Sequence, residues 1–318
     1  MNILITGIAG FVGFNLAKYL NTLGHHVAGI DNLISSYDHP IQLARNQYLE
    51  EIGIRVLNED LRKIDFETFG QILGFETKID IFIHLAGWPG VLRSTSEPEK
   101  YYENNVDAFV CALKAVNELK PKKFLYASSS SVYGDLASNM ACREDDQLPK
   151  ALNFYALTKQ IDELLADLYP MPNTKVCGLR FFTVFGAWGR PDMAYWKFAD
   201  SILNDRTIEL RGENGGLRDF TSVNDLVRVI EMLCTTDKVL PPILNMAKGE
   251  SRPTLDLIKQ LEKHLGIAAD VRIVERSDSE ASSTLSDPSL LNSILEDFMW
   301  TDFDTATKEF ASWFRDQI

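Results

Sequence analysis

Met1-Asn2-Ile3-Leu4-Ile5-Thr6-Gly7-Ile8-Ala9-Gly10-Phe11-Val12-Gly13 is the stretch that decides how the chain folds. Residues 2–6 form an apolar run of strand length. Glycines follow at 7, 10 and 13, and apolar residues then recur at helical spacing from Asn15 to Leu23. Strand, glycine turn and helix in that order let backbone approach a pyrophosphate while the helix amides face the anion. Taken alone, the three glycines also suit an ordinary tight turn, so the rest of the chain has to decide between the two.

A second run, Val27-Ala28-Gly29-Ile30, ends at Asp31, eighteen positions beyond Gly13. A carboxylate there accepts hydrogen bonds from ribose hydroxyls and repels a 2′-phosphate, which points to NAD rather than NADP. A third run, Ile54 to Leu57, leads to Asp60, either an adenine contact or a solvated turn and helix cap. The fourth, Ile79 to Ile83, stops at His84-Leu85-Ala86-Gly87, where small residues let backbone pass close to a cofactor and His84 reads as a packed strand-end residue. Tyr101 to Leu119 has the pattern of a helix. A fifth strand, Phe124 to Ala127, opens into Ser128-Ser129-Ser130-Ser131-Val132-Tyr133-Gly134. Strands alternating with helices predict an α/β protein built on a doubly wound parallel sheet of Rossmann type, with ligands at the carboxyl ends of the strands.

Asn153-Phe154-Tyr155-Ala156-Leu157-Thr158-Lys159 places a phenol and an ammonium four residues apart, on one face of a helix. A fixed cation favours the phenolate, which makes Tyr155 a candidate base. By itself the spacing also describes a plain amphipathic helix. The serine run likewise reads either as a polar loop or, at a strand's carboxyl end, as hydroxyls that hold a substrate oxygen while Tyr155 moves its proton.

Composition narrows the partners. The 318 residues carry 32 basic and 45 acidic side chains, a net charge of −13 that argues against nucleic acid. The N-terminus has no basic, then long apolar, export pattern, and no apolar run reaches bilayer length. Cys111, Cys142, Cys177 and Cys234 lack metal-ligand spacing and are too few for a disulfide framework, so no metal is expected and the cytoplasm is the expected compartment.

With Gly7/Gly10/Gly13, Asp31, His84-Leu85-Ala86, the serines and Tyr155/Lys159 in this order, the chain resembles the extended short-chain dehydrogenase/reductase family, the NAD-dependent epimerases and dehydratases. Within it, Leu179-Arg180-Phe181-Phe182-Thr183-Val184-Phe185-Gly186-Ala187-Trp188-Gly189-Arg190-Pro191-Asp192-Met193 looks most like the UDP-glucuronate 4-epimerases. Arg218-Asp219-Phe220-Thr221-Ser222-Val223-Asn224-Asp225 is similar to the family's later motif, whose arginine grips the diphosphate.

The resemblance implies interconversion of UDP-glucuronate and UDP-galacturonate through a transient 4-keto sugar. The alternatives are an NAD-dependent epimerase or other enzyme acting on a different nucleotide sugar and, more distantly, a non-catalytic dinucleotide-sensing protein, a kind that commonly lacks the Tyr/Lys pair. For the interconversion, Tyr155 is the base, Lys159 its electrostatic partner and ribose anchor, and Ser129 the hydroxyl on the C4 oxygen. It implies an NAD site drawn from Gly7, Gly10, Phe11, Val12, Gly13, Asp31, Asn32, Asp60, Leu61, Leu85, Ala86, Gly87, Asn104, Ala127, Tyr155, Lys159 and Phe182. Asn105 corresponds to an asparagine supporting the active-site helix. On the substrate side it implies Ser129, Ser130, Ser131, Tyr155, Thr183, Arg190, Met193 and Arg218, with Arg190 either a carboxylate clamp or a salt bridge. The helices from Tyr101 and Tyr155 resemble a homodimer interface.

Hydroxyls at Ser130 and Ser131, where dehydratases and decarboxylases carry carboxylates, disfavour those chemistries. Departures from the epimerase pattern are Ala187 for proline, Ser222 for tyrosine, Asn224 for aspartate and Leu92 for arginine in the loop Trp88 to Ser94. Only Arg272 and Arg276 stand near the place of a second diphosphate arginine.

The expected organisation is a NAD-binding domain over 1–180 and a mainly substrate-binding α/β lobe over 181–318, some of whose segments return to the first domain. In that lobe Lys197 to Leu203 and Leu255 to Leu265 predict helices, and Ser277 to Ser286 a polar loop.

Overall fold

The strands, in chain order, are β1 (Asn2–Thr6), β2 (His26–Ile30), β3 (Arg55–Leu57), β4 (Ile81–His84), β5 (Lys123–Ser129), β6 (Lys175–Phe181), β7 (Thr183–Phe185), β8 (Ile208–Arg211), β9 (Leu217–Ser222), β10 (Ile243–Met246), β11 (Ser251–Pro253) and β12 (Val271–Val274). They belong to a computed structural model that describes residues 1–37, 39–66, 73–75, 78–135, 140–275 and 281–317. Seven of them pair in parallel in the order β10-β6-β5-β4-β1-β2-β3. The order reverses between β1 and β4, the switch point at which such sheets bind ligands.

Both faces of this sheet are covered, which is why its strands read as continuous apolar runs. Ile3, Ile5, Ile81, Ile83 and Leu125 point into one core with Phe14, Leu226 and Val229. Their neighbours Leu4, Phe82, Phe124 and Tyr126 point into the other with Phe109, Leu113 and Val116. The first core belongs to helices Phe11–Thr22 and Val223–Thr235; the second includes helix Ala108–Leu119. Parallel connections of this kind need crossover helices, and the periodicity switch at Gly7–Gly13 expresses that constraint.

Beyond β6 the chain builds a three-stranded sheet, β11-β9-β7, and a parallel pair, β12-β8. Helices Ala194–Leu203, Thr254–Leu265 and Phe303–Asp316 share the first core through Tyr195, Phe198, Leu257, Leu261, Phe310 and Phe314. Arg45 is fully buried. Its guanidinium donates to the carbonyls of Trp188 (2.6 Å) and Gly189 (2.5 Å), to Ala9 O (3.4 Å) and to the Tyr37 hydroxyl (2.9 Å).

Three expectations meet differences. The helix read from Tyr101 to Leu119 begins at Pro98 and passes through a π-turn, Tyr102–Asp107, before continuing as Ala108–Leu119. The extra residue per turn is compensated by Asn105, whose side chain accepts from Trp88 N (2.6 Å) and donates to Trp88 O (3.1 Å) and Thr158 Oγ1 (3.0 Å). Of the serine-rich segment, 277–280 lies outside the described residues. Ser283 and Ser286 bridge to Leu217 and Cys142, and Ser286 donates twice to the buried Asp219, so 281–286 is ordered by pairing rather than by looping free. Arg272 is bound to Glu209 across the β12-β8 pair, and Arg276 lies outside the described residues. Among the described residues no helix is long and apolar enough to cross a membrane.

His84 is buried at the end of β4 and shares a 2.7 Å hydrogen bond with Thr6 Oγ1 at the end of β1. Burial, reinforced by the nearby Lys159 charge, pushes its pKa from 6.5 down to about 3. The unfolded chain therefore takes up a proton that the folded one refuses. Stability is full above pH 6.5 and drains as pH falls toward 3. In His84→Asn the loss of stability across that window should be shallower by up to about 1.4 kcal/mol per pH unit, read from denaturant midpoints at a series of pH values.

Candidate active site

Gly7 has φ +71°, and a Cβ placed on it would lie 2.6 Å from Ala86 N. A Cβ on Gly13 would lie 2.2 Å from Gly7 O, and one on Gly10 2.9 Å from the same oxygen. Only glycine permits β1, the turn, the first helix and the strand end after β4 to approach so closely. No side chain caps helix Phe11–Thr22, and Gly10, its N-cap residue, lines a groove.

That groove is a cleft at the switch point. Gly7, Gly10, Asp31, Asn32, Asp60, Leu61, Leu85, Ala86, Gly87 and Asn104 all line it. Thr6, Gln42, Arg62 and Trp88 join them without a signal in the sequence that marked them. Phe11, Val12, Gly13, Ala127, Tyr155, Lys159 and Phe182 are not in the lining. Phe11 packs into the core against Tyr195, Gly13 acts through its closeness to Gly7, and Phe182 lies against Tyr133.

Asp31 is buried at the end of β2. It accepts from Ala9 N, Leu33 N and Gln42 Nε2, each at 2.9 Å. Burial raises its pKa, while the backbone donors, Gln42 and Arg45 work against the rise. Three bonds leave one of about four lone-pair sites on the carboxylate for a ribose hydroxyl. Asp60 realises its capping alternative. It accepts from Arg62 N (2.9 Å) and takes a fork of bonds from the Arg62 guanidinium, which holds its pKa below the ordinary value, and it lines the cleft as well.

The phenol and the ammonium stand behind Gly87 and Trp88, beside the cleft rather than in its lining. Asn153 Oδ1 accepts from Ala156 N (2.8 Å) and starts helix Phe154–Leu168, so Tyr155 stands on its first turn. The half-buried Tyr155 ring meets Tyr101 edge-on at 6.3 Å, and Tyr101 meets Trp88 in the same way at 5.9 Å. Lys159 is buried, and its Nζ donates to Ala127 O (3.1 Å) and Asp162 Oδ2 (3.0 Å). A Cβ on Gly87, in the cleft wall, would come within 3.7 Å of that nitrogen. Burial opposes the ammonium charge, but Asp162, Tyr155 and Glu163 outweigh it and hold the pKa above the ordinary lysine value.

Ser129 ends β5, where its Oγ accepts from Ser131 N (3.1 Å). The helix of Tyr155 is tied to the next turn by Gln160 Nε2, which donates to Val132 O (3.0 Å). The Oγ of Ser131 and the Nε1 of Trp88 are buried with no hydrogen-bond partner among the described residues. Ser130 is half-buried at the start of the same turn, and Thr183 opens β7.

Arg190 forks onto Asp192 within its own loop, with Nε to Oδ1 at 3.0 Å; the pair is partly buried rather than a surface bridge. Its guanidinium lies beside Gly90 in the Trp88 loop. Met193 precedes helix Ala194–Leu203, and Arg218 donates to the carbonyls of Leu217 (2.8 Å) and Ser282 (3.3 Å).

Comparison with known proteins agrees with this geometry. Residues 3–247 match the model of the NAD dependent epimerase/dehydratase family. The chain is 30% identical over 340 residues to a probable UDP-glucuronate 4-epimerase of Rhizobium meliloti, covering 99% of this chain and 97% of that one. It is 32% identical over 333 residues to UDP-glucuronate 4-epimerase 4 of Arabidopsis thaliana, covering 99% and 75%. Among solved structures, the UDP-glucuronic acid 4-epimerase of Bacillus cereus in complex with UDP-glucuronic acid and NAD superposes with a TM-score of 0.91 at 30% identity, over 100% of both chains.

The glycine contacts carry a direct test. Gly13→Ala should destabilise the protein by about 1–3 kcal/mol through overpacking against the Gly7 carbonyl, read from urea midpoints, and should weaken NAD uptake in parallel.

Proposed function

The chain belongs to the NAD-dependent epimerase/dehydratase family, and from that premise we propose that it is a nucleotide-sugar 4-epimerase interconverting UDP-glucuronate and UDP-galacturonate. The observation that carries the reading is the Tyr155/Lys159 pair on one helix face, with the Lys159 ammonium directly behind Gly87 of a glycine-built cleft at the switch point. Its similarity along its whole length to the Bacillus cereus enzyme supports the choice of sugar.

NAD bound in this cleft would supply a reversible hydride acceptor for C4. Gly7 and Gly10 would take its pyrophosphate, and Asp31 would take a ribose hydroxyl. Tyr155 removes the proton of the sugar 4-hydroxyl and restores one to the same oxygen after the ring has turned over, so no net oxidation occurs. The Lys159 ammonium stabilises the phenolate, and the Ser129 hydroxyl donates to the C4 oxygen. Arg218 holds the diphosphate. Arg190, with Ser130, Ser131 and Thr183, meets the carboxylate by exchanging part of its fork on Asp192 for the ligand. Residues 1–180 on this reading serve mainly the cofactor and 181–318 mainly the sugar.

One observation favours a different nucleotide sugar as substrate. Leu92, half-exposed in the Trp88 loop, stands where an arginine is usual in glucuronate epimerases and offers no charge to a carboxylate. The two readings separate when UDP-glucuronate, UDP-galacturonate, UDP-glucose and UDP-N-acetylglucosamine are supplied singly and products are resolved by chromatography. Formation of the C4 epimer from the uronates alone supports the first. Tyr155→Phe should keep NAD while kcat falls by about 10³-fold, the weight of a proton-transfer group.

Leu157, Leu164 and Leu168 are exposed along helix Phe154–Leu168, an apolar stripe that supports a homodimer through this face. Leu164→Glu with Leu168→Glu should yield monomers in sedimentation. The four unpaired cysteines suit a reducing compartment, and the cytoplasm is the location that fits them.

A further inference from the structure

Asp162 is fully buried on helix Phe154–Leu168, one turn beyond Lys159. One carboxylate oxygen accepts from Lys159 Nζ at 3.0 Å; the other, Oδ1, has no hydrogen-bond partner. Its neighbour Glu163 is satisfied differently, forked by Arg180 on β6 (2.9 and 2.8 Å) and accepting from Ser128 Oγ on β5. The charge of Asp162 is thus matched by Lys159 alone among the described side chains.

A buried ion pair with an unpartnered oxygen is a poor source of stability, since desolvation consumes most of the attraction. Its effect falls instead on the third ionisable group of the same helix face. Resting on the reading of Tyr155 as base, we infer that Asp162 is a positioning residue that holds Lys159 against Ala127 O and tempers the positive charge Tyr155 experiences, thereby setting the pH at which the base works.

The surroundings leave the pair coupled mainly to Tyr155. From β4, His84 faces Lys159 but stays neutral; from β5, Tyr126 is buried and held protonated; from β6, Arg180 is spent on Glu163; on the helix itself stand Tyr155 and Glu163. Burial lifts the Asp162 carboxyl to about 6, with Lys159 offsetting part of the rise, so its charge changes inside the working range of an enzyme.

The test uses the full-length, NAD-loaded protein. In Asp162→Asn, which keeps shape and an acceptor for Lys159, the acid limb of kcat should move to lower pH by about one unit. The ultraviolet difference titration of the Tyr155 phenolate, taken against Tyr155→Phe, should move with it. A limb and a phenolate midpoint that stay put, or move upward, overturn the inference.

If the variant does not fold, the parent decides. Protonation of Asp162 near pH 6 should make the acid limb shallower than unit slope, and a single unit-slope limb overturns the inference. Should the parent turn over none of the four sugars, the assignment of the base reaction fails; the phenolate titration still answers for Asp162.

Discussion

Everything at the site rests on one close approach, that of the Gly7 backbone to Ala86 and of Gly13 to the Gly7 carbonyl. It brings β1, β4 and the first helix to separations that no side chain at these positions would tolerate. The cleft is the space left over at the point where strand order reverses. Cofactor geometry is therefore a packing result before it is a binding result.

Across the cleft the controlling force is electrostatic. Several cations are buried or nearly so, and each is solved in its own way: Lys159 by Asp162 and a carbonyl, Arg180 by Glu163, Arg190 by Asp192, and Arg45 by carbonyls and a phenol alone. Arg45 touches both the glycine turn at Ala9 and the Trp188–Gly189 segment that leads to Arg190. A single side chain thus braces the glycine turn against the Trp188–Gly189 segment, with a neutral partner set that leaves its charge to act on Asp31.

The sheet and most of the cleft were legible because they follow from local rules. Apolar runs ending at Gly7, Asp31, Asp60 and Leu85 are strands whose ends must meet, and ten of the expected cofactor residues stand together in the lining. The Tyr155/Lys159 spacing was legible for the same reason, since helix geometry alone puts both on one face. What could not be read depends on distant partners. The π-turn at Tyr102–Asp107 exists because Asn105 reaches Trp88 and Thr158, and no periodicity announces that. Arg45 looks like any polar residue of an amphipathic helix until Trp188 closes over it. Asp162 lay within reach of inference, three positions after Lys159 and so on its face, but a carboxylate there reads first as solvated surface.

The seventh strand sets a condition on synthesis. β10 covers the edge of β6, and Lys123 at the start of β5 gives its ammonium to the carbonyls of Leu233, Cys234 and Thr236. About sixty residues separate β6 from β10, which at about 5–20 residues per second is several seconds of translation. Through that interval the nascent sheet has an open, apolar border and a lysine without its acceptors. The enzyme's first half must wait for its second before it can close, and that interval is when a chaperone has the most to shield.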